Sequence, residues 1–185
     1  MRAARLTFVF FLFSLPAALH AQIGVYGKYD FNHYTFNDAS PVTSFNLNGG
    51  GLGIYDDFLH LGPLRLGADL RADFEDASKF DYQSVLAGVR VSAKAPRIPL
   101  KPYVQGSIGE GGTRANGPFA AGISSAPSSH KLTYGIIGGV DWTIHKHIDF
   151  RVIEVSGAWQ SGTTGGVSQA KESMVTVSTG IVFRF

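Results

Sequence analysis

The sequence has no cysteine among its 185 residues. Disulfides and thiolate metal sites are therefore excluded, whatever the redox state of the compartment. It also lacks an excess of either charge, with 16 Lys and Arg against 14 Asp and Glu. Two of the basic residues, Arg2 and Arg5, fall in the first 21 positions, which hold no acid, so residues 22–185 carry 14 of each sign. A neutral chain leaves no electrostatic footprint for nucleic acid. Beyond the first 21 residues no apolar run approaches the roughly 20 residues of a helical span, and no stretch has a helical period. Insertion into a membrane would have to be as a closed barrel.

What the first 21 residues do hold is a basic start, an apolar run over Leu6–Leu15 broken by Thr7 and Ser14, and Ala17-Ala18-Leu19-His20-Ala21. That order describes a secretory leader cleaved after Ala21. Residues 22–185 are then expected to form one domain.

Those residues alternate. The clearest segment is the last, where Val175, Val177, Thr179, Ile181, Phe183 and Phe185 interleave with Thr176, Ser178, Gly180, Val182 and Arg184. A period of two is a strand with one apolar and one mostly polar face. Left at an edge it would aggregate; pairing with the first strand would remove the edge.

Taken in order, Ile23–Phe36 sets Ile23, Val25, Tyr29 and Phe31 against Lys28, Asp30 and Asn32, and residues 37–41 read as a loop. Strand two is expected over Phe45–Tyr55, its register blurred by Gly49, Gly50, Gly51 and Gly53, with a turn over Asp56–Gly62. These glycines are no phosphate loop, because no Gly-Lys-Ser/Thr follows. Strand three alternates Leu64, Leu66, Ala68, Leu70, Ala72 and Phe74 with Arg65, Gly67, Asp69, Arg71, Asp73 and Glu75. Strand four spans about Tyr82–Ser92, with Leu86 on its polar face, and strand five Leu100–Ile108. Gly111–Ser129 has no period and reads as a long loop. Strand six follows, with a tight turn at His145-Lys146-His147. Strand seven changes phase, which predicts a β-bulge near Val152–Ile153. Gln160–Ala170 reads as the last loop.

The count is eight strands. With both ends on one side, the near-side turns are short, and the two longest connections lie on the far side. This is the loop asymmetry of outer-membrane barrels. A secreted lipocalin-like barrel would share the period with its faces exchanged. Lipid on the apolar face is favoured by aromatics near the strand ends: Tyr29, Phe31, Phe74 and Tyr134 at one, Trp142, Phe150, Phe183 and Phe185 at the other. It is favoured also by charges of both signs on the polar face, since one Arg facing lipid at the midplane costs about 2–4 kcal/mol. The expected fold is an all-β, eight-stranded antiparallel up-and-down transmembrane β-barrel. Its lumen is expected to hold a charge network of Lys28, Asp30, Arg65, Asp69, Arg71, Asp73, Arg90, Arg151 and Glu154.

On this strand count, the loop asymmetry and the ending Ile181-Val182-Phe183-Arg184-Phe185, residues 22–185 resemble the small bacterial outer-membrane β-barrel family. Its types are the membrane domain of outer-membrane protein A and outer-membrane protein X. The resemblance implies an outer-membrane location among outer-membrane lipids and insertion by the barrel assembly machinery, with Phe183 and Phe185 as the assembly signal. It implies no single activity and no cofactor. The peptidoglycan-binding domain of outer-membrane protein A has no counterpart here.

Three chemical readings compete with a non-enzymatic, envelope-structural or surface-loop role. His33, Asp76 and Ser78 at the outer end are similar in placement to the triad of lipid A palmitoyltransferases, a membrane-embedded lipid-modifying acyltransferase, and His130 is a weaker candidate base. His145 and His147, flanked by Asp141 and Asp149, have the residue types of a zinc site. The inward charges could line a small pore. Ordinary loop and lumen composition accounts for all three, so no residue is assigned a catalytic or metal role.

Overall fold

The computed structural model describes residues 22–36, 43–77, 80–94, 97–115, 128–161, 163–164, 167–168 and 172–185. The expected leader, Ser78 and residues 116–127 lie outside them. Eight long strands form the wall: β1 (Gln22–Phe36), β2 (Thr43–Leu61), β3 (Leu64–Ala77), β4 (Phe80–Ala93), β5 (Leu100–Ala115), β6 (Ser128–His145), β7 (Ile148–Ser161) and β8 (Glu172–Arg184). Each pairs antiparallel with its neighbours in the chain, and β8 pairs with β1 to close the ring. Closure runs from Gly24 opposite Arg184 to Phe36 opposite Glu172. At its lower end the Phe185 N–H donates to the Ile23 carbonyl at 2.9 Å. No long strand among the described residues is left with an open edge.

The alternation sets which side is which, and the burial is inside out. Leu52, Val89 and Ile136 on the outer wall are 60 %, 59 % and 60 % exposed, while Arg90 and Arg151 are the largest fully buried side chains. A soluble domain would reverse this; hydrocarbon outside and a packed polar interior require it. Tyr29, Phe31, Phe74, Tyr134, Trp142, Phe183 and Phe185 are all exposed on the outer wall, with Phe150 partly so. Among them Tyr134 stacks on Trp159 and Tyr29 meets Phe31 edge-on.

Four segments differ from the sequence expectation or refine it. β2 continues to Leu61, so Asp56–Leu61 is strand and the turn is Gly62-Pro63 alone. The period is lost there because Phe58 is an extra residue: Asp57 pairs with Gly67 and Leu59 with Leu66. A bulge of this kind flips the alternation. β5 runs on to Ala115 and β6 begins at Ser128, so both ends of the expected Gly111–Ser129 loop are strand, and the rest of it lies outside the described residues. Glycines without side chains show no period, yet Gly111 and Gly112 pair with Ser84 and Gln83. Gln160 and Ser161 belong to β7, and Thr163–Thr164 pairs with Val167–Ser168 as a small hairpin. The bulge at Val152–Ile153 is present: Glu154 pairs with Ser178 and Arg151 with Gly180, leaving Val152 and Ile153 opposite Thr179 alone. The Thr179 hydroxyl caps it, donating to the Arg151 carbonyl at 2.9 Å.

Candidate functional site

Inward positions of all eight strands meet in the lumen, where side chains from opposite walls touch. Arg71 on β3 and Glu154 on β7 are four strands apart in the ring, yet Arg71 Nη1 lies 2.9 Å from Glu154 Oε1. The other Glu154 oxygen is 3.0 Å from Arg151 Nη1 and also accepts from the Tyr103 hydroxyl. Arg151 Nε then reaches Asp141 Oδ1 at 3.0 Å, and Asp141 Oδ2 is 3.0 Å from Arg90 Nη2. Arg71, Glu154, Arg151, Asp141 and Arg90 thus form one chain of alternating charge across the barrel. Every member is at most 2 % exposed.

Two side groups complete the centre. Arg71 Nε contacts Asp69 at 3.0 Å, and Asp69 also accepts from the Tyr26 hydroxyl and Gln105 Nε2, both at 2.9 Å. Lys28 Nζ sits between Asp30 at 2.9 Å and Asp73 at 3.0 Å. The Arg90 Nε and Nη1 atoms make no hydrogen bond among the described residues. Their guanidinium instead lies between the Tyr55 and Tyr103 rings, 4.1 and 3.9 Å from the centroids. Such stacking is favourable once both groups are removed from water.

Above and below this centre the lumen is also filled. At the outer end Tyr34, Leu47, Tyr82 and Met174 form a buried apolar cluster. Beside it Lys131 Nζ pairs with Glu172 at 2.5 Å. At the inner end Asp149 Oδ2 is held by Lys101 Nζ at 2.7 Å and Arg184 Nε at 2.8 Å. Between the centre and the outer cluster a cavity of ≈ 30 Å³ remains among Lys28, Glu75, Tyr82 and Thr176. That volume holds about one water.

Of the nine charges read from the sequence, Lys28, Asp30, Asp69, Arg71, Asp73, Arg90, Arg151 and Glu154 are brought together. Arg65 is not. It shares their face but sits at the inner mouth, contacting Gln22 and lying 4.0 Å from Asp57. Outside those nine stand Asp141, which links Arg151 to Arg90, the pairs Asp149–Arg184 and Lys131–Glu172, Lys101, and the lumenal tyrosines Tyr26, Tyr55 and Tyr103. The parity of β1 marks Tyr26 as inward, but an aromatic in a strand reads as part of a lipid belt.

Among the described residues the competing chemistries are not assembled. His33 is exposed, and its Nδ1 contacts Asn46 Oδ1 at 2.8 Å rather than an acid. Asp76 faces Asp81 and Asn48 in the ladder, and Ser78 is outside the described residues. His130 lies 3.0 Å from Glu110 with both side chains exposed. His145 and His147 have ring centroids 6.2 Å apart, and His147 Nδ1 meets the Arg184 carbonyl. Their flanking acids, Asp141 and Asp149, are already engaged by cations. Among the described residues no group of three ligating side chains comes together.

No protein-family model matches the chain, and no curated protein matches it in sequence. Solved structures do. Neisserial surface protein A superposes with a TM-score of 0.55 at 15 % identity, covering 88 % of this chain and 97 % of that one. The attachment invasion locus protein of Yersinia pestis gives 0.55 at 10 %, over 90 % of this chain and all 100 % of the other. A major outer membrane protein of Thermus thermophilus gives 0.54 at 13 %, over 90 % and 100 %. At these identities the likeness is one of architecture. The chain has the fold of the small bacterial outer-membrane β-barrels, the family its strand pattern resembles.

Proposed function

We propose that this protein is an integral barrel of the bacterial outer membrane, exported by a leader over residues 1–21, whose lumen is closed by its own side chains. Its role is non-enzymatic: it braces the envelope or presents loops outside the cell. The observation that carries this reading is the buried chain Arg71–Glu154–Arg151–Asp141–Arg90, which ties opposite walls together. Charges removed from water require partners, and partners that span the bore leave no path for ions. The apolar outer wall supplies the lipid contact, and the engagement of His33 by Asn46 argues against a general base there.

Two measurements test it. In envelope fractionation the protein should sediment with the outer membrane, and unheated samples should migrate differently from boiled ones. Recovery as a soluble periplasmic species would return the lipocalin-like reading. In planar bilayers the purified barrel should give no large, steady conductance. Reproducible open channels would replace the plug with a pore.

Phe183 and Phe185 project from the lipid face of β8, 49 % and 77 % exposed. We assign them the recognition of the barrel assembly machinery, since β8 is the strand that closes the ring. Deleting Phe185 should lower the membrane level of the protein at ordinary expression while its synthesis continues. An unchanged level would remove that role.

A further inference from the structure

At the inner mouth, outside the charge chain, an open cleft of ≈ 550 Å³ lies between the β2–β3 turn, Lys94 and Arg97–Pro99 of the β4–β5 connection, and Thr143 near the end of β6. Its charged lining is of one sign: Arg65, Lys94 and Arg97, with His60 beside them. Two acids lie near, and among the described residues neither pairs with Lys94 or Arg97. Asp149 is shared by Lys101 and Arg184, and Asp57 lies 4.0 Å from Arg65. Partial burial lowers the Lys94 pKa, and the charges of Arg65 and Arg184 push it further the same way, with Asp149 opposing. Cations gathered in excess of their acids are unfavourable unless an anion joins them.

The cleft is also held in shape. The Lys94 N–H donates to the Pro63 carbonyl and the Thr143 N–H to the Pro99 carbonyl, both at 2.7 Å, so Lys94 is tied to the β2–β3 turn and Pro99 to the end of β6. Arg97 has a φ of 78°, in the left-handed region that non-glycine residues enter only when the surroundings hold them there. Outside the cationic lining the same end carries exposed Leu61, Leu64, Ile98 and Leu100. A cationic pocket bordered by an apolar rim suits a group that is anionic at its head and apolar behind.

We infer that the Arg65–Lys94–Arg97 cleft binds a phosphate group, carried by an anionic phospholipid of the inner leaflet or present as free phosphate. This rests on the outer-membrane reading, which places these turns at the periplasmic face. Arginine matches phosphate oxygens through paired N–H donors, and lysine adds a point charge. A phosphodiester would sit against the three cations while its acyl chains follow Leu64 and Leu100 down the wall. The volume is within the usual range of about 300–1,000 Å³ for ligand sites.

The test uses the folded barrel in detergent, with native mass spectrometry as the readout and the heat-dependent gel shift as the folding control. Phosphatidylglycerol and phosphatidylcholine are offered separately at equal concentration, with and without inorganic phosphate. The wild type should retain phosphatidylglycerol about tenfold more than phosphatidylcholine, and Lys94→Gln/Arg97→Gln should abolish the difference. Both residues lie in an exposed turn, so the variant should keep the gel shift. Displacement of the lipid by inorganic phosphate identifies the headgroup phosphate as the recognised part. Retention of inorganic phosphate alone, lost in the variant, assigns the cleft to free phosphate. A folded wild type that holds both lipids equally and no phosphate overturns the cleft while leaving the barrel intact. A chain recovered soluble without detergent overturns the membrane reading with it.

Discussion

Replacing Arg151 with alanine is expected to destabilise the folded barrel by about 3–5 kcal/mol, the cost of leaving a buried charge without its partner. Arg151 is fully enclosed and, among the described residues, is the one cation of the lumen paired with both Asp141 and Glu154. Its guanidinium also lies over the Tyr26 ring, 4.3 Å from the centroid. After truncation Asp141 keeps Arg90, and Glu154 keeps Arg71 and Lys28, but neither acid keeps its full set of donors. Arg71→Ala belongs to the same class, because it releases Asp69 and Glu154 together. Arg114→Ala, exposed near the end of β5, should stay within about 0.5 kcal/mol. Urea unfolding in detergent, followed by the fluorescence of Trp142 and Trp159, gives all three on one scale. Losses below about 1 kcal/mol for both lumenal arginines would mean that water already screens these charges, and the closed lumen would fail with them.

The sequence made the faces of this barrel legible because its two solvents differ so much. In β3 every second residue from Leu66 to Phe74 meets hydrocarbon and every other meets a polar lumen, so the phase admits no slip. The same contrast exposed the bulge at Val152–Ile153, where Glu154 and Val155 hold the reversed phase. It failed at Phe58, since Asp56 and Asp57 precede a bulge there and the mixture reads as a turn. It failed again over Gly109–Gly112. Those residues are strand by virtue of backbone pairing alone, which side-chain alternation does not report.

For the lumen, parity gives the face but not the depth or the partner. Arg65 and Arg71 share a face of β3, six residues apart, yet one stands at the mouth and the other at the centre of the chain. Which acid meets which base depends on register and on the stagger of closure. That is how Arg71 finds Glu154, 83 positions away. Lys101 and Glu172 were hidden for a local reason. Lys101 precedes Pro102, which marks a strand end, and Glu172 follows a stretch with the composition of a loop.

The glycines that blurred β2 carry the second large effect: Gly49→Val should prevent folding, or destabilise the barrel by at least about 3 kcal/mol, the upper range of overpacking. Gly49 faces inward between Asp30 and Glu75. A Cβ there would fall on the Phe74 carbonyl oxygen and lie 2.5 Å from Glu75 Cα. These are backbone atoms of β3, so no rotamer change relieves the contact and the β2–β3 ladder itself must part. At Gly53 an added Cβ would meet the Tyr26 ring, which could turn at the expense of its bond to Asp69, and would also lie 2.8 Å from the Leu70 carbonyl oxygen of β3. Gly27 is the control. It points to the outer wall between Leu52 and Ile181, and nothing lies within 4 Å of its added Cβ. Gly27→Val should therefore fold as well as the wild type or slightly better, because a β-branched residue suits a strand facing lipid. Refolding each variant into vesicles and scoring the heat-sensitive band separates the outcomes. A Gly49→Val barrel formed in normal yield and within about 1 kcal/mol of the wild type would show that β2 and β3 are not packed backbone to backbone at this level.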